Sequence, residues 1–177
     1  MAPAWIARLA QPGAGLTARG IADGDRDFLR DLYASTRTEE LAPVPWPDAE
    51  KQRFLTRQFE AQHAHYRENL PDAAYLLLEI DAVPAGRIYL DERDDEIRLV
   101  DMALLPEHRG AGIGSRLLQT VIDAAVESGR TVRLHVERHN PAWRLYDRFG
   151  FVELEDRGVY RFMEWRPARS QNTAAPG

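Results

Sequence analysis

Three glycines within five residues, Gly110-Ala111-Gly112-Ile113-Gly114, stand between Arg109 and Ser115. Such a run lets the backbone turn tightly and bring successive N–H groups to face one point. A strand-like stretch, Ile97 to Leu105, leads into it, and an amphipathic stretch, Ile113 to Ser128, leads out. The donors therefore lie at a helix N-terminus, where unpaired N–H groups and the helix dipole favour an anion. The chemistry expected here is the cradling of a pyrophosphate. A Walker A loop needs Gly-x-x-x-x-Gly-Lys-Ser/Thr, and Lys51, the only lysine, is far away. The dinucleotide fingerprint Gly-x-Gly-x-x-Gly also fails, because Ser115 or Leu117 falls where its third glycine belongs. Pro106-Glu107-His108 separates the glycines from the strand as well, so a nicotinamide cofactor is not expected.

The elements that must hold this loop can be read from periodicity. Leu16 to Ile21 reads as a first strand. Asp25 or Asp27 can cap a helix on which Phe28, Leu29, Leu32 and Tyr33 recur at helical spacing. Pro43, Pro45 and Pro47 argue against any regular element from Thr36 to Pro47. Asp48 can cap a second helix to about Leu70, with Leu55, Phe59, Gln62 or His63, and Tyr66 inward, and Pro71 ends it. Ala74 to Ile80 and Gly86 to Asp91 read as strands joined by a tight turn over Asp81 to Ala85; a turn near Asp94-Asp95 leads to a strand from Glu96. Ile113, Leu117, Leu118, Val121, Ile122 and Ala125 share one face of the helix after the glycines, which Gly129 terminates. Thr131 to Val136 is a β-branched strand, and Asn140-Pro141 opens a helix that Gly150 stops. Phe151 to Leu154 with Val159 to Trp165 forms a closing hairpin. The order β-α-α-β-β-β-α-β-α-β-β predicts an α/β layer fold, a mixed sheet flanked by helices.

Composition narrows the function. The chain has 177 residues, enough for one domain with a full core. Its net charge is −5 and its basic residues are scattered, which disfavours nucleic acid as a partner. The absence of cysteine excludes disulfides, thiolate zinc sites and a cysteine acyl-enzyme, and fits a cytoplasmic protein. No histidine pair has helical metal spacing beside a carboxylate, so no metal is expected. Met1 to Leu16 does not read as a secretory signal, and no stretch reaches the length of a membrane span. The expected organisation is a disordered extension over 1–15, one domain over 16–166 and a disordered tail over 167–177.

Arg109, Gly112 and Gly114 also satisfy Arg-x-x-Gly-x-Gly, which resembles the acetyl-CoA-binding motif of the GNAT superfamily of N-acyltransferases. About thirty residues on, Asn140, Ala142, Leu145, Tyr146, Gly150 and Phe151 come in the order of that family's second signature. The close resemblance covers roughly Leu99 to Phe151, and a looser one most of the chain. It implies a GNAT-like mixed sheet with splayed central strands. It further implies that Arg109, Gly110, Ala111, Gly112, Ile113, Gly114 and Ser115 wrap the pyrophosphate. Main-chain groups of Met102, Ala103 and Leu104 would pair with the pantetheine arm, and one of their N–H groups could steady the thioester oxygen. Tyr146 would protonate the departing thiolate, and Asn140, besides capping its helix, would touch the CoA arm. The implied activity is transfer of acetyl from acetyl-CoA to a primary amine by direct attack in a ternary complex. A non-catalytic acyl-CoA-binding sensor or regulatory module would share the loop, and the resemblance leaves room for a longer acyl group, a hydroxyl acceptor or a homodimer.

An alkylammonium is charged at neutral pH, so a carboxylate or a carboxylate-bound water must take its proton. Asp101, Glu96 and Glu137 are the candidates, each on a central strand or at its end. Asp101 lies inside the apolar stretch Leu99 to Leu104, where burial would suit it to base work. Glu137 ends the strand that leads to Asn140. By resemblance the acceptor would lie near Thr36 to Asp48 and Asp156 to Gly158. There Glu39 and Glu40 could attract a cation and Trp46 could cover it. His63 and His65 fit a solvated helix surface, although His65, with Gln58 and Gln62, could line the acceptor site; His135 fits a packed strand. Arg138, Arg144 and Arg148 fit either the ribose phosphate or plain surface.

Overall fold

Apolar positions spaced at three and four residues from Ile113 to Ser128 fall on one stripe, and in the computed structural model that stripe is a buried helix face. The structure describes residues 4–10 and 15–168. Among them, one sheet contains β1 (Leu16–Gly20), β2 (Ala74–Ile80), β3 (Val83–Glu92), β4 (Glu96–Leu104), β5 (Thr131–Glu137), β6 (Val152–Arg157) and β7 (Tyr160–Trp165). Their spatial order is β1-β2-β3-β4-β5-β7-β6. Neighbours are antiparallel except β4 and β5, which run parallel. The helices are α1 (Arg26–Ser35), α2 (Thr38–Leu41), α3 (Asp48–Asn69), α4 (Ile113–Ser128) and α5 (Trp143–Arg148). The expected mixed α/β sheet and its element order are thus present.

Alternation along the strands sorts the core onto two faces. Ile88, Leu90, Ile97, Leu99, Val132, Leu134 and Val136 pack with α4. On the opposite face Leu77 packs with Leu29 and Tyr33 of α1 and Phe59 of α3. Leu55, Gln62, His63 and Tyr66 are half-buried beside Phe59. Over β5, β7 and β6 this second face carries mostly polar side chains, and His135 there is partly open to solvent with one ring face stacked on Phe162.

Three local expectations need correction. Residues 4–10 are not a loose extension: Ala4–Leu9 forms a 3-10 helix whose Ile6 and Leu9 enter the α4 core, with Arg8 paired to Glu127 and the Trp5 indole donating to Glu92. The rest of the predicted extension, 1–3 and 11–14, and the tail beyond 168 lie outside the described residues. Thr38–Leu41 is helical because Pro43, Pro45 and Pro47 all come after it and end the turn rather than prevent it. Asp48 begins α3 instead of capping it, since Pro47 takes the N-cap. No described helix is long and apolar enough to cross a membrane.

The buried position of Leu9, 1 % exposed, makes the N-terminal segment part of the fold. Leu9→Ala should lower unfolding free energy by about 2–5 kcal/mol, read by denaturant unfolding. Wild-type stability in that variant would return the segment to a dispensable extension.

Candidate active site

The site begins with one extra residue in β4. Leu90 of β3 faces Leu99, but Tyr89 faces Asp101, so Val100 is bulged out of the ladder. Such a bulge bends a strand and re-aims the side chains beyond it. Two consequences converge. Asp101, in phase with the core residues Ile97 and Leu99 by sequence, is turned instead to the face of Tyr89 and Arg87. At the same level β4 leaves β5: their last register pair is Leu99 with Leu134, although β4 continues to Leu104 and β5 to Glu137.

The fork exposes backbone selectively. The Leu105 N–H donates to Ala85 O, which fixes the alternation. Asp101 and Ala103 therefore turn their main-chain groups to β3, and Met102 and Leu104 turn theirs to the gap. Of the three residues expected along the pantetheine arm, Ala103 is the one already paired. Leu104 O accepts from Arg109 Nε at 2.9 Å, and Arg109 Nη2 reaches Ser35 Oγ at 3.2 Å. Arg109 thus ties the loop to the end of β4 and to the end of α1.

After a 3-10 turn over Pro106–His108, the chain enters the glycine loop. Gly110 and Gly112 take φ of 76° and 78°, the left-handed region that L side chains avoid. Gly112 is the N-cap of α4, and its carbonyl accepts from the Arg116 N–H. No backbone acceptor among the described residues takes the N–H groups of Gly110, Ala111 or Gly112. The first helical N–H groups, those of Ile113, Gly114 and Ser115, lie at an α4 start that no side chain caps. A Cβ on Gly110 or Gly112 would meet nothing within 4 Å, so the loop is open on its outer side. Gly114 stands against Leu145 and Met102, which links the loop to α5 and β4.

The candidate acid–base residues separate clearly. Tyr146 is buried on α5 with its ring 5.6 Å from Phe151. Burial, and then the Asp101 charge, push its phenol well above the ordinary tyrosine range. The same carboxylate acts on Tyr66 of α3, which burial also pushes up. The Asp101 charge thus bears on both phenols. Asp101 is not a lone carboxylate: Arg87, 3 % exposed, donates to its Oδ2 at 2.7 Å and to Gln62 Oε1 at 2.9 Å. Glu137 is clamped through both oxygens by Arg37, at 2.6 and 2.7 Å, and Arg37 lies over Tyr33. Glu96 stands apart at the start of β4, buried among Arg93, Arg98 and Arg133. Burial pushes its carboxyl up, but hydrogen bonds from Arg98 and Arg133 outweigh this and hold it below the usual range.

The remaining expected residues sort by their partners. The Asn140 side-chain carbonyl accepts from the Ala142 N–H at 2.9 Å, starting the turn into α5. Arg138 bonds Asp156 and Gly158 O, bracing the β6–β7 turn rather than facing the loop. Arg144 lies over Trp143. Trp46 packs edge-on against Phe54 and Glu40 bonds Arg37, while Glu39 is exposed. His65 faces solvent and bonds Asn69. Sequence reasoning missed Ser35, Arg37, Tyr66 and Arg87. Arg37 and Arg87 act through partners 100 and 14 residues away, and no local pattern marks them.

A glycine loop of open donors beside parted parallel strands has the shape and donors to take the pyrophosphate and arm of an acyl-CoA. The Acetyltransferase (GNAT) family model matches residues 27–151, and the chain belongs to that family of acetyltransferase enzymes. It is 38% identical over 120 residues to the mycothiol acetyltransferase of Actinosynnema mirum, covering 66% of this chain and 38% of that protein. It is 39% identical over 67 residues to the ribosomal protein bS18-alanine N-acetyltransferase of Haemophilus influenzae, covering 37% of this chain and 46% of that one. The matched stretch thus covers less than half of either relative. In fold it is similar to the PaiA N-acetyltransferase of Thermoplasma acidophilum in complex with coenzyme A, with TM-score 0.65 and 20% identity over 86% of this chain and 99% of that one.

Gly112→Val places a β-branched side chain in the left-handed region at the N-cap of α4. A strain of roughly 1–2 kcal/mol would weaken acetyl-CoA binding by about tenfold or more, with the damage arising in the loop and not from collision with the core. Titration calorimetry reads it; unchanged affinity would remove the loop from the donor site.

Proposed function

We propose that this protein transfers the acetyl group of acetyl-CoA to a primary amine by direct attack in a ternary complex. The observation that carries the reading is the bulge at Val100, which opens backbone donors at Met102 and Leu104 and turns Asp101 toward Arg87 at the same fork. The glycine loop, Arg109 to Ser115, would hold the pyrophosphate through its free N–H groups. The Met102 and Leu104 main chain would align the pantetheine arm. Asn140 shapes the turn that presents α5 to that arm.

In the transfer step the neutral amine nitrogen bonds to the thioester carbon, and the C–S bond breaks. The electron pair leaves on sulfur, and Tyr146 supplies its proton. A tyrosine phenol is protonated at neutral pH, so Tyr146 has a proton to give. The amine proton goes to Asp101, directly or through water. Asp101 is preferred to Glu137 because Arg87 engages only its Oδ2, whereas Arg37 occupies both Glu137 oxygens. Glu96 has no part in this step, being walled in by arginines at the far end of β4. The Haemophilus relative's name specifies acetylation at an alanine nitrogen, which supports a nitrogen acceptor here.

Tyr146→Phe keeps the ring in its pocket and removes the proton. It should lower kcat by about 10²-fold or more while acetyl-CoA affinity is retained. Steady-state thiol release beside calorimetry separates the two quantities, and an unaltered kcat would take Tyr146 out of the chemistry.

A further inference from the structure

The sheet face that carries Asp101 continues beyond the cover of α1 and α3 as three rows of side chains across β4, β5, β7 and β6. Farthest from the fork, Glu96, Arg133 and Glu164 form a closed ion ladder: Arg133 donates to both carboxylates at 2.6 Å, Arg93 and Arg98 add to Glu96, and Arg166 adds to Glu164. Nearest the fork stand Glu137 and Tyr160, a cross-strand pair. The middle row is Arg98, His135, Phe162 and Arg157. His135 and Phe162 are also cross-strand partners, with rings stacked at 4.7 Å and 25°. The guanidinium carbons of Arg157 and Arg98 lie 4.7 and 5.4 Å from the Phe162 ring centre.

In this middle row the Nη1 edges of both guanidinium groups meet the imidazole rather than a carboxylate. Arg98 Nη1 lies 3.5 Å from His135 Nδ1, and Arg157 Nη1 lies 3.1 Å from Nε2. A neutral imidazole accepts at one nitrogen and donates at the other, so one guanidinium faces a ring N–H, donor against donor. Burial, and then the two arginines, hold the ring below its usual pKa, which keeps it neutral. Nearby carboxylates take only one edge of each guanidinium: Arg98 gives Nε and Nη2 to Glu96, and Arg157 gives Nε and Nη2 to Glu155 in an exposed pair, which binds weakly, so both Nη1 groups are left facing the ring. Glu137 is closed by Arg37.

We propose that Arg98, His135 and Arg157 form an oxyanion subsite that receives a carboxylate or phosphate carried by the amine acceptor. An oxyanion there would accept from both guanidinium groups and from the ring N–H at once, over the apolar floor of Phe162, where such bonds are strengthened. Its position fits the reaction. His135 is the first β5 residue beyond the last pair with β4, so the subsite lies at the root of the fork on the Asp101 face. Glu137, two residues on, is about 7 Å further along the strand. A compact amine with its anionic group at the root therefore points its nitrogen toward Asp101. The substrate class is an amine that also bears an oxyanion. This deepens the acetyl-transfer reading and rests on it.

The test monitors the His135 ring resonances by NMR in the protein saturated with acetyl-CoA, during titration with β-alanine, phosphoethanolamine and their uncharged counterparts β-alaninamide and ethanolamine. Saturable movement with β-alanine or phosphoethanolamine but not with the neutral pair is expected, and the compound that moves the ring identifies carboxylate or phosphate. Arg157→Gln should weaken that binding by about tenfold, the loss of one charge-assisted contact, with the acetyl-CoA melting-temperature shift retained. Equal movement with the neutral pair, or none with either anion at millimolar concentration, overturns the subsite. Failure of the acetyl-transfer reading would show separately, as no amine-dependent thiol release from acetyl-CoA even where the ring resonances move.

Discussion

Two parallel strands that part in the middle of a sheet leave N–H and C=O groups facing a gap, each costing roughly 1–3 kcal/mol if nothing meets it. The rest of the site depends on how that parting of β4 and β5 is held. β4 stays on β3 because Gly86 allows a close approach; a Cβ there would stand 2.4 Å from Ala103 O. One gap-facing carbonyl, Leu104 O, is met by Arg109. The end of α1 straddles the fork, joined to Arg109 through Ser35 on the β4 side and to Glu137 through Arg37 on the β5 side. The groups left open, chiefly at Met102 and in the glycine loop, are the share a substrate can satisfy.

Charge is managed by the same matching of partners. Each carboxylate near the fork has an arginine of its own, and Arg87 is almost wholly buried. Removing one member of a buried pair typically costs 3–5 kcal/mol, about the scale of a structural fixture. Arg37 and Arg87 therefore fix where the carboxylates stand, and differ in how many oxygens they occupy. That difference separates Asp101 from Glu137 more sharply than burial does. On the open half of the face the pairing is incomplete, since Arg98 and Arg157 each turn Nη1 to the His135 ring.

Much of the fold was legible because it is periodic. The α4 stripe, the strand sequence and the glycine loop are local patterns, and α4 spans the expected Ile113–Ser128. Asp101 was legible as a candidate but not in its orientation, because one bulged residue, Val100, breaks the alternation from which facing is inferred. Arg37 and Arg87 were illegible because an ion pair across the sheet leaves no local spacing. The Ala4–Leu9 segment was misread because two buried side chains are too few to show a period, although they enter the core.

The central claim is that the parted strands and the glycine loop together hold acetyl-CoA. Amide chemical-shift mapping during titration with acetyl-CoA, with NAD in parallel, tests it most directly. The account predicts movement of the N–H signals of Gly110 to Ser115, Met102 and Leu104 with acetyl-CoA, a much smaller change at Ala103, and no such set with NAD. Binding that leaves those signals in place, or an equal response to NAD, would contradict it.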